Sequence, residues 1–175
     1  MLSKLRFRWE HLPLVQDFDC GDEPWEREIA NYLKSEAADG ALTQSEERGN
    51  GAWLYFNEDR ALVGYAVIGL TNWRWPDPKT KKQYPHAVAI GVDRRFSGQP
   101  PGPREGRYSW QIVTDLMAEV LKYPDVGSVL TLFVHESNAR AIAFYRNLQF
   151  EFVPGLNYVD RTTASTYLAM AVKLP

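Results

Sequence analysis

One cysteine, Cys20, leaves this 175-residue chain no internal disulfide and fits a reducing compartment. No apolar run is long enough to span a membrane. The longest, ALVGYAVIGL from Ala61 to Leu70, is roughly half of a spanning helix. The opening MLSKLRFRWEHLPL mixes charge into its apolar residues, so no signal-peptide core is expected and a cytoplasmic location follows as the expectation. Only three histidines are present, His11, His86 and His135. They form no metal-ligand spacing with Cys20 or with acidic residues, and no metal is expected. A charge excess is lacking too: 20 Lys and Arg against 22 Asp and Glu give a net charge of -2. That balance argues against a general electrostatic grip on nucleic acid.

What is present describes an ordinary globular chain, 45% hydrophobic and 24% charged, and one domain over residues 1–175 is expected. Leu5, Phe7 and Trp9 alternate with Lys4, Arg6 and Arg8, the period of a half-buried first strand. Asp22 offers an N-cap and Pro24 suits a first turn, with Trp25, Ile29 and Leu33 at helical spacing. The polar stretch from Ala38 to Gly51 reads as a loop. Ala52–Phe56 and Ala61–Leu70 flank the turn Asn57–Arg60 as a hairpin. A long excursion, TNWRWPDPKTKKQYP, precedes the strand-like HAVAIGVD.

Trp110, Val113, Leu116, Met117, Val120 and Leu121 mark one face of a long helix. Val129–Val134 reads as a strand, and Ala141, Phe144, Tyr145 and Leu148 mark a helix capped by Ser137 or Asn138. Phe150–Val153 and Tyr167–Val172 close the chain as strands. This order is mixed α/β with at least one βαβ crossover.

The chemistry concentrates in VAIGVDRRFSGQPPGPREGRYSWQIV, a strand, a Gly/Pro-rich loop and a helix. Unpaired backbone N–H groups and the positive end of a helix dipole suit such a place to phosphate or pyrophosphate. Arg104 and Arg107 add charge beside it. Neither GxxxxGK[ST] nor GxGxxG lies between strand and helix, which excludes the NTPase loop and the dinucleotide fingerprint.

The strand and loop resemble the acetyl-CoA motif of the GNAT acetyltransferases, a strand ending in Val-Asp followed by (Q/R)xxGx(G/A). FVHESNARAIAFYRNLQFEFV resembles that family's second motif through Asn138, Ala143, Phe144, Tyr145 and Phe150, with Gln149 where a Gly is usual. The resemblance covers roughly residues 5 to 172. It implies a central, mostly antiparallel twisted sheet of about six or seven strands flanked by helices, with acetyl-CoA as co-substrate and a primary amine, small molecule or peptide, as acceptor. In the simplest register Ser97 stands at the Gln/Arg position, Pro100 at the first Gly and Gly102 at the last. Because Pro100, Pro101 and Pro103 have no N–H, the cradle falls to Gly98, Gln99, Gly102 and the amides from Arg104 to Ser109, including Gly106 and Arg107. The end of the strand, Ile90, Gly91 and Val92, and the helix-capping Asn138 complete the implied cofactor contacts.

Acyl transfer needs a neutral amine, N–H donors for the oxyanion and a proton for the departing thiolate. The resemblance gives the last task to Tyr145, whose other reading is a core tyrosine. His86 shares parity with Val88 and Ile90 and is the candidate base, its other reading being a satisfied strand-end histidine. Glu136 and Asp93 are weaker candidates, Asp93 as a turn cap. Trp73 and Trp75 are candidates for an acceptor pocket, or for tryptophans tucked under a surface loop. Cys20 reads as a spectator.

Three other readings remain open. FDCGDEPWEREIANYLKSEA resembles the start of GNAT toxins that acetylate aminoacyl-tRNA and are paired with an antitoxin. A non-enzymatic module that holds CoA or a protein partner is another. An RNA-binding surface built on the tryptophans is the third. Pairing of two copies through sheet edges is left open as well.

Overall fold

The structure is a computed structural model that describes residues 2–37, 40–46, 51–100, 103–122 and 128–174. Its elements are β1 (Ser3–Arg6), α1 (Leu12–Val15), α2 (Pro24–Lys34), α3 (Ala41–Glu46), β2 (Gly51–Phe56), β3 (Leu62–Trp73) and β4 (Lys82–Val92). After them come α4 (Tyr108–Val120), β5 (Val129–His135), α5 (Ala139–Asn147), β6 (Glu151–Phe152), β7 (Tyr158–Asp160) and β8 (Ser165–Lys173). The result is a mixed α/β fold. Among the described residues one open sheet of eight strands runs β1-β2-β3-β4-β5-β8-β6, with β7 also paired to β8. The pairs β1/β2, β2/β3, β5/β8, β6/β8 and β7/β8 are antiparallel, and β4/β5 is parallel.

Two compact units divide the chain: Met1–Ile68 with Ala89–Leu116, and Gly69–Val88 with Met117–Pro175. The first is built on Phe7, Val15, Phe18, Leu33, Leu42, Leu54, Tyr65 and their neighbours, all buried. Its α2 starts because Pro24 supplies a pre-set φ at the first turn and Glu23 and Glu26 cap each other's backbone amides. Glu23 is therefore the N-cap. Asp22, the expected cap, lies one residue outside and pairs with Arg94 at 3.3 Å. The first strand ends at Arg6. Phe7 is fully buried beyond it, while Trp9 sits in a 3-10 turn with 45% exposure. The stretch expected as a loop contains α3, because Ala41, Leu42 and Ser45 turn a buried face inward that small residues conceal from periodicity.

The expected excursion is shorter than the sequence suggests. β3 runs on to Trp73 and β4 starts at Lys82, since Trp73 and Tyr84 are buried at 5% and 6% exposure and continue both strands past their polar neighbours. The second unit's cluster joins Trp73, Tyr84, Val153, Ala169 and Ala171, with Trp75, Val129, Phe133 and Leu156 packed against it. The hairpin turn Asn57–Arg60 is as expected. Asn57 Oδ1 accepts the Ala61 N–H at 2.9 Å and Arg60 takes a left-handed φ of 61°.

Candidate functional site

β4 separates two faces by parity. Pro85, Ala87, Ala89 and Gly91 are buried, whereas His86, Val88, Ile90 and Val92 keep partial exposure. Beyond Val92 the chain is anchored by Asp93. Its carboxylate is fully buried and accepts from the Arg95 N–H at 3.0 Å, the Asp19 N–H at 3.2 Å and the Arg95 guanidinium at 2.8 and 2.9 Å. Burial raises this carboxyl, but the bonds from Arg95 and Asp19 outweigh it and hold it below the ordinary carboxylate range. Asp93 is thus an anchor and turn cap with no lone pair to spare for a base.

The loop that follows carries the predicted cradle. The N–H of Gln99 donates to Phe96 O at 3.0 Å, and Gln99 O accepts from Tyr108 N at 2.8 Å, which sets the start of α4. Gln99 is therefore committed to loop geometry through both backbone groups. The backbone amides of Gly98, Arg104, Ser109 and Trp110 have no partner among the described residues. Gly98 has φ +78°, and Cβ atoms added at Gly98 or Gly106 would meet, beyond their chain neighbours, no atom of the described residues within 4 Å. Arg107 stands at the mouth of α4 with a buried Nε that has no partner among the described residues, while Arg104 is exposed. Amides and a guanidinium nitrogen without partners among the described residues, beside open space at two glycines, are donors suited to an anion, so the residues present fit a diphosphate. Gly102 lies outside the described residues.

Gly91 has a different reason to be glycine: a Cβ there would lie 2.5 Å from Tyr65 Cε1 and 3.0 Å from Ile29 Cγ2. The buried Tyr65 cannot yield, because its hydroxyl donates to Ile29 O at 2.7 Å. Cys20 is inert. Burial, helped by Asp93, Glu26 and Asp19, pushes its thiol up to about 12.

The second unit holds the candidate acid and base. Tyr145, on α5, has its ring centroid 5.4 Å from that of Phe144 and 5.5 Å from that of Phe150. Its hydroxyl has no partner among the described residues, and burial pushes the phenol up to about 12. The helix carrying it is capped by Asn138, whose Oδ1 accepts the Ala141 N–H at 3.0 Å; this fixes what the predicted cofactor contact does within the protein. At its other end Gln149 and Phe150 donate back to Arg146 O and Tyr145 O at 3.1 and 3.0 Å, a Schellman ending with Gln149 at φ 66°. A glycine suits that position, and this chain places a Gln there.

His86 Nδ1 lies 2.9 Å from Thr131 Oγ1, and burial lowers the imidazole to about 4, so the ring is neutral at pH 7. Trp73 and Phe133 stand edge-on to it, with centroids at 6.0 and 5.2 Å. Trp73, expected to line an acceptor pocket, is a buried wall of His86. Trp75 is half-buried, and its carbonyl accepts the Tyr84 hydroxyl. His135 Nδ1 accepts the Ser137 N–H at 3.2 Å in the turn before α5, and Glu136 is exposed. The contribution of Thr131 was not visible in the sequence, since nothing in its neighbourhood marks it.

No family model and no curated protein matches the sequence. Solved structures do match the fold. Arabidopsis thaliana NAA60 in complex with a bisubstrate analogue aligns at TM-score 0.68 and 13% identity, over 99% of this chain and 98% of its own. The AtaT Y144F toxin, bound to the C-terminus of antitoxin AtaR and to acetyl-CoA, aligns at 0.58 and 18%, over 95% and 92%. A Desulfovibrio desulfuricans protein assigned to the GNAT acetyltransferases aligns at 0.63 and 16%, over the full length of both chains. The chain shares the fold of these proteins over 95% or more of its length.

Proposed function

We propose that this protein is an acetyl-CoA-dependent N-acetyltransferase acting on a primary amine. The observation that carries the reading is the open, amide-lined cradle before α4, with the unsatisfied Arg107 Nε beside it. It occurs within a fold shared with a toxin whose structure contains acetyl-CoA. The amides of Gly98, Arg104, Ser109 and Trp110, the open space at Gly106 and the Arg107 Nε are the proposed diphosphate contacts, and Ile90 to Val92 are proposed to line the acyl end. Acetyl-CoA supplies an activated thioester, and no metal is needed.

In this reading the neutral amine attacks the acetyl carbonyl, the C–N bond forms and the C–S bond breaks. The amine loses one proton and the thiolate gains one. Tyr145 is the proposed donor to sulfur. A phenol near 12 stays protonated throughout the physiological range, but full transfer to a thiolate of about 8.5 is uphill by about 3.5 pKa units. Tyr145 therefore donates a hydrogen bond to the sulfur as the C–S bond breaks, and the proton the thiolate finally takes is the one the attacking nitrogen gives up, relayed through water or through the Tyr145 hydroxyl. His86, neutral at pH 7, accepts a hydrogen bond from the amine and is too weak a base to hold its proton. The amine consequently arrives neutral, or loses its first proton to water.

A second reading, a toxin acetylating aminoacyl-tRNA, is raised by the Phe18-Asp19-Cys20-Gly21 start and is supported by the AtaT alignment. The net charge of -2 weighs against a tRNA grip. The third alternative is a non-catalytic CoA-binding module.

Calorimetric titration with acetyl-CoA, with CoA and ATP as controls, tests the proposal. Binding of acetyl-CoA in the micromolar range without ATP binding supports it, and no binding at millimolar acetyl-CoA overturns it. A screen of amine acceptors, with and without Tyr145→Phe, then separates the enzyme from the module.

A further inference from the structure

The proton on His86 follows from its neighbours. Thr131 Oγ1 donates to the carbonyl of Pro85 at 3.0 Å, and a hydroxyl has only one hydrogen to give. The same oxygen stands 2.9 Å from His86 Nδ1, so toward that nitrogen it can only accept. Nδ1 is then the donor, and the neutral ring keeps its lone pair on Nε2.

We infer that Thr131 is a positioning residue, one that holds His86 as the Nδ1–H tautomer and turns the Nε2 lone pair into the hydrogen-bond acceptor for the N–H of the incoming amine. The assignment of an amine rests on the acetyltransferase reading; the tautomer rests on the hydrogen-bond geometry alone. Three further features support it. Thr131 is fully buried on β5, in parallel register with His86 on β4, so the pair is held by the sheet rather than by a mobile side chain. Trp73 and Phe133 press edge-on against the imidazole and limit its rotation. Nε2 has no partner among the described residues, and the ring retains partial exposure on the open parity of β4. A histidine used only to fill the core would not need its proton directed inward and its lone pair left free.

The test is the tautomer itself. Long-range proton–nitrogen correlation spectra of the full-length nitrogen-15-labelled protein at pH 7 should show His86 with Nδ1 protonated and Nε2 bare. Diethyl pyrocarbonate, which needs an imidazole lone pair, should label His86 at Nε2 in a mass-spectrometric digest. Thr131→Val removes the acceptor and should lose both the pure Nδ1–H signature and most of the labelling, and Thr131→Ser should restore both. A wild-type His86 carrying its proton on Nε2, or failing to label, overturns the inference, and so does a Thr131→Val variant that keeps the Nδ1–H form. The wild-type spectrum decides even if Thr131→Val does not fold. Acetyl-CoA calorimetry on the same wild-type sample separates the two levels. Binding with the wrong tautomer overturns only the role of Thr131. The right tautomer without binding overturns the acetyltransferase reading, and with it the amine as the partner of Nε2.

Discussion

Replacing Gly106 with Ala asks whether the loop before α4 is shaped for the fold or for a ligand. Gly106 lies in a 3-10 turn, donates its N–H to Pro103 O at 3.1 Å and accepts from Gln111 Nε2 at 2.7 Å. None of these bonds involves a side chain at 106. An added methyl would meet, beyond its chain neighbours, no atom of the described residues within 4 Å, and the backbone is outside the left-handed region. The fold therefore has no use for a glycine here. Alanine should stabilise the protein by about 0.4–1 kcal/mol by restricting the unfolded chain. At this chain length that is a rise in melting temperature of roughly 1–4 °C. If the open space is where the diphosphate sits, the same methyl should weaken acetyl-CoA binding by about tenfold or more, equivalent to about 1.4 kcal/mol. Thermal melting and calorimetric titration of one sample read both effects. A lower melting temperature would show that the fold needs the glycine, and a higher one with unchanged affinity would remove the cradle from this loop. Gly98→Ala is the control. At φ +78° it should lose about 1–2 kcal/mol of stability while crowding the same space.

Tyr145→Phe should lower the acetyl-transfer rate by roughly 10²–10⁴ with little change in acetyl-CoA affinity, measured by thiol release and calorimetry; an equal loss of affinity would make Tyr145 a binding residue instead. Gln149→Gly relieves a left-handed residue at the end of α5 and should raise stability by about 1 kcal/mol in urea unfolding. His86 falls from 6.5 to about 4 on folding, so the unfolded chain binds the extra proton. That contribution is fully present above pH 6.5 and is lost as pH falls toward 4, up to about 3 kcal/mol. The difference in unfolding free energy between wild type and His86→Gln should shrink by that amount across the window. Asp93→Asn places an amide N–H against the donors of Arg95 and Asp19. It should cost about 1–3 kcal/mol, the share from the 60% exposed Arg95 side chain being small, and should also weaken acetyl-CoA binding through the displaced loop.

Much of the fold was legible because its signals are local. Pro24, Trp25, Ile29 and Leu33 announce α2, Asn57–Arg60 announces a hairpin, and the β4-loop-α4 order is plain from its glycines and prolines. What escaped was decided by tertiary contact. α3 is amphipathic only in that Ala41, Leu42 and Ser45 are buried, and six residues are too few for a period to show. β7 is three residues long and exists by pairing with β8. These three glycines look alike in sequence, yet Gly91 is required by Tyr65, Gly98 by its φ, and Gly106 by nothing among the described residues. The link from His86 to Thr131 crosses 45 residues and depends on a parallel register that no local pattern encodes.

The Phe18-Asp19-Cys20-Gly21 segment shows how a motif can suggest a specific activity yet be explained by a general one. Its residues serve the loop: Asp19 N–H donates to Asp93 Oδ2 at 3.2 Å, Arg94 N–H donates to Asp19 O at 2.7 Å, and the Arg94 guanidinium pairs with Asp19 at 2.8 Å. Phe18 is buried edge-on against Tyr65, with centroids 5.5 Å apart. Gly21, at φ +137°, has no room for a Cβ, which would lie 2.1 Å from Glu26 Oε2 of the capping pair. Phe18, Asp19 and Gly21 are thus accounted for by holding the end of β4 and the start of α2 in place. Any acetyltransferase with this loop anchor would gain from the same three residues, whatever amine it acetylates. The segment therefore carries no information about tRNA. Discrimination between the two readings rests on charge, because a tRNA substrate demands a salt-dependent cationic surface that a chain of net charge -2 must concentrate locally.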